Sequence, residues 1–131
     1  MTPEPTPPTA SPSGLFVHGK PSFFQIPSST PHRSATFYAE VFGWRADLRD
    51  GGEARFTAPG DVIGHFMREL EPARTPGVVP YVYVDDVIAA IERVTANGGG
   101  VVQEPYPEGD LTVARVNDPD GNVIGVWQSV G

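Results

Sequence analysis

The chain has 131 residues, of which 39% are hydrophobic and 10% aromatic, and its formal net charge is −7. This length and composition predict one soluble globular domain, and the negative charge argues against nucleic acid binding, which needs a dense surface of Lys and Arg. Because the chain has no cysteine, disulfides, thiolate catalysis and cysteine-based metal sites are excluded.

The N-terminal segment, residues 1–19, is predicted to be a disordered tail rich in proline. Its first fourteen residues, MTPEPTPPTASPSG, contain five prolines with Ser and Thr between them, a composition typical of flexible or polyproline II segments. The segment lacks the charged and apolar regions of a signal peptide, and no apolar run in the chain approaches the roughly 20 residues that span a bilayer. We therefore expect a cytoplasmic protein with no membrane partner. A tail that recruits a protein partner is an alternative.

The remaining residues, 20–131, are predicted to form a single domain whose first module covers residues 20–70. A short aromatic strand, SFFQI, comes first. Thr30 and Pro31 then predict the start of a helix, as N-cap and first helical residue, and Gly43 predicts its end. Three strands follow, WRADLR, EARFTA and VIGHFMR, joined by the turns DGG and PGD. The predicted order is β-α-β-β-β.

Residues 78–131 repeat this order after a linker, EPARTPGV, that has no periodicity. The strand VPYVYV is followed by a helix that begins at Asp85 and Asp86 and ends at Asn97 and Gly98. The strands GVVQE, LTVARV and VIGVW complete the second module. The chain is therefore predicted to contain an internal repeat of about 55 to 60 residues.

One tripeptide supports this duplication. Val-Ile-Gly occurs in the last strand of both modules, as VIGHF over residues 62–66 and as VIGVW over residues 123–127. In each case an aromatic residue follows two positions after the glycine. We therefore expect Gly64 and Gly125 to occupy equivalent positions in the two modules.

The stretches SFFQIPSSTPHRSATFYAEVFGW, VYVDDVIAAIERVTANGGGVV and NDPDGNVIGVW resemble the vicinal oxygen chelate superfamily, the group of glyoxalases, bleomycin resistance proteins and extradiol dioxygenases. The resemblance covers roughly residues 20–129. It implies an α+β fold in which two βαβββ modules form curved mixed sheets around a central cavity. It also implies a homodimer, since the binding cleft of such relatives is often completed across two subunits. Family membership alone does not fix the activity.

The resemblance also implies where a metal would bind. Enzymatic members hold a divalent ion with His, Glu or Gln side chains from the first and last strands of both modules, and the ligand in each last strand directly follows two apolar residues. Gly64 and Gly125 stand at those places, and glycine has no side-chain donor. Gln25 is the one candidate in the first strands, and a single glutamine does not hold a divalent ion. We therefore expect no metal cofactor.

Three histidines offer other donors. His18 is predicted to lie in a solvated loop, and His32 to face water from the first helical turn. His65 follows Gly64, so in a regular strand we expect it to face away from the cavity, whereas a bulge at the glycine would turn it inward. A divalent metal held by Gln25 and His65 with donors from a partner chain is therefore an alternative.

The lining of the cavity is predicted from strand alternation, because residues two apart share a face. Aromatic side chains with a few polar tips suit a planar or amphipathic small molecule. A second interpretation is that these aromatics fill the core and leave no accessible cavity. The predicted ligand-binding residues are Phe23, Gln25, Gly64, Phe66, Tyr81, Tyr83, Gly125 and Trp127.

The favoured function is therefore a metal-free small-molecule binding protein of this superfamily, with an aromatic or amphipathic ligand in an aromatic-lined cleft. The acidic surplus gives slight support to a cationic ligand. The alternative is a divergent lyase, isomerase or dioxygenase of the same superfamily that depends on a divalent metal. No catalytic residue can be named for it from the sequence.

Overall fold

A computed structural model describes residues 12–130 of the chain, which divides into two units between Glu71 and Pro72. Both units have the predicted order β-α-β-β-β. The first unit contains a helical turn α1 (Pro12–Leu15), then β1 (Phe23–Pro27), α2 (Pro31–Phe42), β2 (Arg45–Leu48), β3 (Ala54–Ala58) and β4 (Val62–Met67). The second contains β5 (Tyr81–Tyr83), α3 (Val87–Ala96), β6 (Gly100–Glu108), β7 (Leu111–Asn117) and β8 (Val123–Ser129).

Each unit forms one four-stranded mixed sheet. The strand orders are β1-β4-β3-β2 and β5-β8-β7-β6. In each sheet the first strand is parallel to the last, and the other neighbours are antiparallel. The predicted α+β fold of two βαβββ modules is therefore confirmed.

Local sequence sets the ends of the two long helices, as predicted. Pro31 is the first residue of α2, and Gly43 ends it in the left-handed conformation with φ 74°. The carboxylate of Asp86 accepts a hydrogen bond from the amide of Ala89 at 3.1 Å, which caps α3. Among the described helices, none combines the length and the apolar character that crossing a membrane requires.

The predicted tail is only partly covered by the structure. Residues 1–11 lie outside the described residues. Residues 12–15 form α1, and the hydroxyl of Ser22 donates a hydrogen bond to the carbonyl oxygen of Leu15 at 3.2 Å. The described end of this segment is therefore tied to the start of the first strand.

The strand β6 is longer than the sequence predicted. It continues beyond the predicted strand GVVQE, through Tyr106 and Pro107 to Glu108. Register shifts lie between Val101 and Gln103 and between Gln103 and Tyr106. A bulge adds residues to one strand while its pairing with the neighbouring strand continues. The strand β6 is therefore longer, and the turn that leads to β7 forms at Gly109.

The core of each unit lies between its helix and one face of its sheet. In the second unit, Ala114 and Val116 of β7 and Ile124 and Val126 of β8 are buried under α3. We call the opposite face of each sheet its helix-free face. Register places Phe23, Gln25, Arg55, Thr57, Ile63 and His65 on that face of the first sheet, and Tyr81, Tyr83, Val113, Arg115, Asn117, Val123, Gly125 and Trp127 on that of the second.

Candidate functional site

Two of the predicted ligand-binding residues, Gly64 and Phe66, lie on the face of the first sheet that packs against α2. Gly64 is the register partner of Phe56, and Phe66 is only 4% exposed. The expectation that they share a face with Gln25 is wrong, because Gln25 pairs with His65 and Gly64 pairs with Phe24. A shift of one residue along a strand moves a side chain to the other face.

The aromatic side chains on this face form the core of the first unit. The ring of Phe66 lies 5.5 Å from that of Tyr38 and 5.3 Å from that of Phe56. Trp44 stacks between Tyr38 at 4.9 Å and Phe56 at 4.7 Å. For Phe66, the interpretation that the aromatics fill the core is therefore the correct one.

Gly64 allows a close approach inside this core. A Cβ at this position would overlap both the ring of Phe56 and the carbonyl oxygen of Phe24 on the neighbouring strand. The missing side chain is thus replaced by the Phe56 ring. In this unit the glycine serves packing, as glycines in strands often do where another group comes near.

The helix-free face of the first sheet brings together Phe23, Gln25 and His65. The rings of Phe23 and His65 lie 5.3 Å apart in an edge contact, and Gln25 is the register partner of His65. Arg55 pairs with His65 from the other side. The strand β4 is regular, so the expectation that a regular strand turns His65 away from this face is wrong. The alternation of side chains along β4 places His65 on the same face as Gln25 without a bulge.

The other two histidines lie away from this face. His18 is exposed in a turn, as predicted. His32 is half-buried, and its Nε2 lies 3.1 Å from the carbonyl oxygen of Arg49 and 3.0 Å from that of Glu53. Because both partners are acceptors, Nε2 carries the proton and donates. His32 therefore fixes the loop before β3, and the expectation that it faces water is wrong.

A cavity of about 200 Å³ opens at the end of the first sheet. It is smaller than the roughly 300 to 1,000 Å³ of ligand pockets for drug-sized molecules, and much of its lining is charged. The predicted residue Phe66 contributes to its wall, beside His65. It is lined by Pro31, Glu53, Ala54, Arg55, His65, Phe66, Met67, Arg68 and Glu69.

In the second sheet the predicted residues do share one face. Gly125 is the register partner of Tyr81, and Trp127 that of Tyr83. The rings of Tyr83 and Trp127 meet at 4.8 Å in a T-shaped contact with an interplanar angle of 84°. Tyr81 and Tyr83 are 40% and 49% exposed, so this is an aromatic surface that a molecule in solution can reach.

The space left by Gly125 is filled by a side chain of the same unit. A Cβ built on Gly125 would overlap the ring of Tyr81. Gly125 is among the predicted ligand-binding residues, but in the structure the ring of Tyr81 lies over it. The three atoms nearest to this Cβ belong to the ring of an exposed side chain, so rotation of Tyr81 would relieve the overlap with them.

Arg115 is a charged residue of this face that was not predicted from the sequence. It lies opposite Gly125 in the β7-β8 register, and its Nε donates a hydrogen bond to the hydroxyl of Tyr81 at 3.0 Å. The guanidinium is protonated at neutral pH, as in any arginine, and that hydrogen bond raises the pKa of Arg115 further. An arginine inside the otherwise uncharged stretch LTVARV was the available signal.

The donors on these faces do not fit a divalent metal ion. On the first sheet Gln25 and His65 are adjacent, but the guanidinium of Arg55 is the other register neighbour of His65. On the second sheet Gly125 offers no side-chain donor, and Arg115 adds a positive charge. Within residues 12–130, no three His, Asp or Glu side chains come together as ligands for a metal.

Known proteins are similar to this chain in sequence and in fold. Residues 20–126 match the sequence model of the Glyoxalase/Bleomycin resistance protein/Dioxygenase superfamily. A glyoxylase-like domain-containing protein from Didymella fabae is 36% identical over 93 residues, 65% of this chain and 73% of that protein. A lactoylglutathione lyase from Haemophilus influenzae is 35% identical over 108 residues, 70% of this chain and 79% of the enzyme. The chain spans only 47% of the length of a relative from Mycobacterium bovis that is 27% identical over 124 residues.

A solved structure adds a relative of a different kind. TnmS3, an antibiotic binding protein from Streptomyces sp. CB03234, is 27% identical with a TM-score of 0.61, and the match covers 85% of this chain and 96% of TnmS3. The sequence match over residues 20–126 and the two βαβββ units agree with each other. This chain belongs to the Glyoxalase/Bleomycin resistance protein/Dioxygenase superfamily.

Proposed function

We propose that this protein binds a small aromatic or amphipathic molecule without a divalent metal. The observation that carries the proposal is the pairing of Gly125 with Tyr81. At the place where the family resemblance expects a metal ligand, the chain has no donor, and an aromatic ring covers the position. Aromatic rings bind planar molecules by stacking and edge contacts.

The aromatic side chains on the helix-free face of the second sheet would form the binding surface. Tyr81, Tyr83 and Trp127 lie side by side on its helix-free face, and the two tyrosine hydroxyls supply polar anchors. Phe23 and Gln25 offer a similar but smaller surface on the first sheet. The antibiotic-binding relative TnmS3 supports a binding function for this fold.

The two tryptophans of the chain provide a direct test. Trp127 belongs to the proposed surface, whereas Trp44 belongs to the first unit and is stacked between Tyr38 and Phe56. In a titration of isotope-labelled protein with naphthalenemethanol, a neutral aromatic probe, we expect the indole N–H signal of Trp127 to shift saturably and that of Trp44 to stay in place. The variant Trp127→Leu should abolish binding, and Ile88→Ala, an exposed apolar change on α3, should not.

Two results would contradict this proposal. One is the absence of any saturable shift at Trp127. The other is equal weakening of binding by Trp127→Leu and Ile88→Ala, which would mean non-specific adsorption of the probe.

A divergent metal-dependent lyase, isomerase or dioxygenase is the second candidate. It is favoured by the register pairing of Gln25 with His65 and by relatives such as the lactoylglutathione lyase of Haemophilus influenzae. Elemental analysis of untagged protein after supplementation with divalent metals distinguishes the metal-free binding protein from the metal-dependent enzyme. We expect no stoichiometric metal. About one equivalent that is lost in Gln25→Ala or His65→Ala would establish the metal-dependent candidate instead.

We further expect a homodimer, on the ground of the family resemblance. Sedimentation equilibrium should give twice the mass of the chain. A monomer at micromolar concentration would contradict this part of the proposal alone.

A further inference from the structure

We propose that the helix-free face of the second sheet selects aromatic anions, with the carboxylate or phenolate of the ligand bound by Arg115. This inference rests on the proposed function and specifies the charge of the ligand. It departs from the cationic ligand that the net charge of the chain suggested.

The first argument is the bonding of Arg115. Within the part of the chain that the structure describes, its guanidinium makes one hydrogen bond, from Nε to the hydroxyl of Tyr81 at 3.0 Å. This bond leaves the two Nη groups to donate elsewhere and holds the side chain beside the aromatic surface. A planar guanidinium with free N–H groups matches a carboxylate, because two parallel hydrogen bonds can form.

The second argument is the position of the rings relative to this cation. Arg115 lies directly opposite Gly125, whose other register partner is Tyr81, and Trp127 follows two residues along β8 on the same face. Directly opposite residues of an antiparallel pair have Cβ positions only about 5 Å apart. A ring that packs against Tyr81 or Trp127 can therefore place an attached anionic group at Arg115.

The third argument is the distance to acidic groups. Glu108 is on the same face but pairs with Leu111, four residues along β7 from Arg115 or about 13 Å at the rise of a strand. Asp118 is closer in sequence, but its two carboxylate oxygens accept hydrogen bonds from Asp120 and Asn122 in the following turn. Glu104 lies closer in the register, one residue after Gln103, which pairs with Arg115. Within the described residues, however, the hydrogen bond of Arg115 goes to Tyr81 and not to this carboxylate. Arg115 is therefore a positive charge beside the rings, although the chain as a whole is negative.

Charge complementarity favours an aromatic anion over a second copy of the chain as the occupant. The face presents the cation Arg115 beside apolar rings, and an aromatic anion matches both features. A small aromatic anion can pair its charge with the guanidinium of Arg115, and its ring can stack on the aromatic side chains of this face.

The test compares three probes that share one ring system and differ in charge: naphthoate, naphthalenemethanol and naphthylmethylammonium. Isothermal titration calorimetry at low salt should show the anion binding about 10-fold more tightly than the neutral probe, and the cation more weakly still. The variant Arg115→Gln should remove this preference, so that the anion and the neutral probe bind within about twofold of each other. Arg115→Lys should retain part of it, because the charge remains and the bidentate geometry is lost. Arg74→Gln, the same change in the exposed linker, is the matched control.

Each outcome decides one point. Equal affinities for the three probes, or equal effects of Arg115→Gln and Arg74→Gln, would overturn the anion preference and leave the proposed function standing. Absence of binding by all three probes would overturn both. Sedimentation of Arg115→Gln checks the other occupant, because a change in oligomeric state with no change in probe affinity would show that a second copy covers this face.

Discussion

The ring of Phe56 lies over Gly64, and the ring of Tyr81 lies over Gly125. The two glycines share the tripeptide Val-Ile-Gly, but the first faces the helix and the second faces away from it. At Gly64 a backbone carbonyl oxygen, that of Phe24, also stands in the way of a Cβ. At Gly125 the three nearest atoms all belong to the exposed side chain of Tyr81. The two positions should therefore respond differently to the same change.

Gly64→Ala should destabilise the protein by about 2 to 3 kcal/mol, because overpacking here forces the backbone of β1 or the buried Phe56 to move. Gly125→Ala should cost less than about 1 kcal/mol, because Tyr81 can rotate towards solvent. Urea unfolding followed by circular dichroism measures both. Equal costs for the two variants would show that Tyr81 is as firmly held as the core.

Phe66→Ala should unfold the first unit more easily rather than merely weaken ligand binding. Removing a buried phenylalanine typically costs about 3 to 5 kcal/mol, and Phe66 is 4% exposed. Phe23, which is 51% exposed, is the matched control, and Phe23→Ala should cost less than about 1 kcal/mol. The midpoint of urea unfolding gives both values. A stable Phe66→Ala variant with altered probe binding would return Phe66 to the list of ligand contacts.

The turn between β7 and β8 depends on the carboxylate of Asp118. Its Oδ1 accepts hydrogen bonds from the amides of Asp120 at 2.9 Å and Asn122 at 3.0 Å, and its Oδ2 accepts one from Nδ2 of Asn122 at 2.9 Å. Asp118→Asn places an amide donor against one of these donors, so we expect a loss of about 1 to 3 kcal/mol.

The exposed residue Asp110, in the turn between β6 and β7, provides a matched change for this prediction. Asp110→Asn should alter the free energy of unfolding by less than about 0.5 kcal/mol. If Asp118→Asn were equally mild, the turn would be held by its backbone hydrogen bonds alone.

A small pH dependence of stability is expected from the pair formed by Asp47 and Arg49. Arg49 donates from Nη2 to Oδ2 of Asp47 at 2.8 Å and from Nε at 3.1 Å. This hydrogen bonding lowers the pKa of Asp47 from its ordinary value of 3.8. The pair therefore stabilises the folded state above about pH 3.8, and this contribution is lost as the pH falls through the folded-state pKa.

Because the Asp47 side chain is 49% exposed, solvent screens the pair and the effect is small. At neutral pH and low salt, the wild type should melt about 1 to 4 °C above Asp47→Asn. The difference should vanish once the pH has fallen below the folded-state pKa of Asp47, and it should shrink in about 1 M salt. A difference that persists at low pH would have to come from something other than the carboxylate charge.

Much of the fold was predictable from the sequence because its signals are local. Pro31 and Gly43 mark the ends of one helix and Asp86 the start of another through backbone geometry and capping that involve only neighbouring residues. The duplicated order of strands and helices also followed from the sequence. The length of β6 did not, because bulges depend on the partner strand.

Half of the candidate site followed from the sequence in the same way. Alternation of side chains along β5 and β8 correctly predicted one shared face for Tyr81, Tyr83, Gly125 and Trp127. In β4 the same tripeptide is shifted by one residue relative to the sheet. The helix-free face therefore carries His65, where Gly64 and Phe66 were predicted. The hydrophobic pattern around VIGHF is too short to distinguish these two phases.

The sequence by itself determined the two βαβββ modules and the absence of side-chain donors at Gly64 and Gly125. Both features depend only on the order and the identity of the residues. Only the tertiary structure decided which face each strand presents and what fills the space over each glycine. Those outcomes depend on contacts between strands that are distant in sequence. Packing under α2 placed Phe56 over Gly64, and the parallel pairing of β5 with β8 placed Tyr81 over Gly125, with Arg115 beside it.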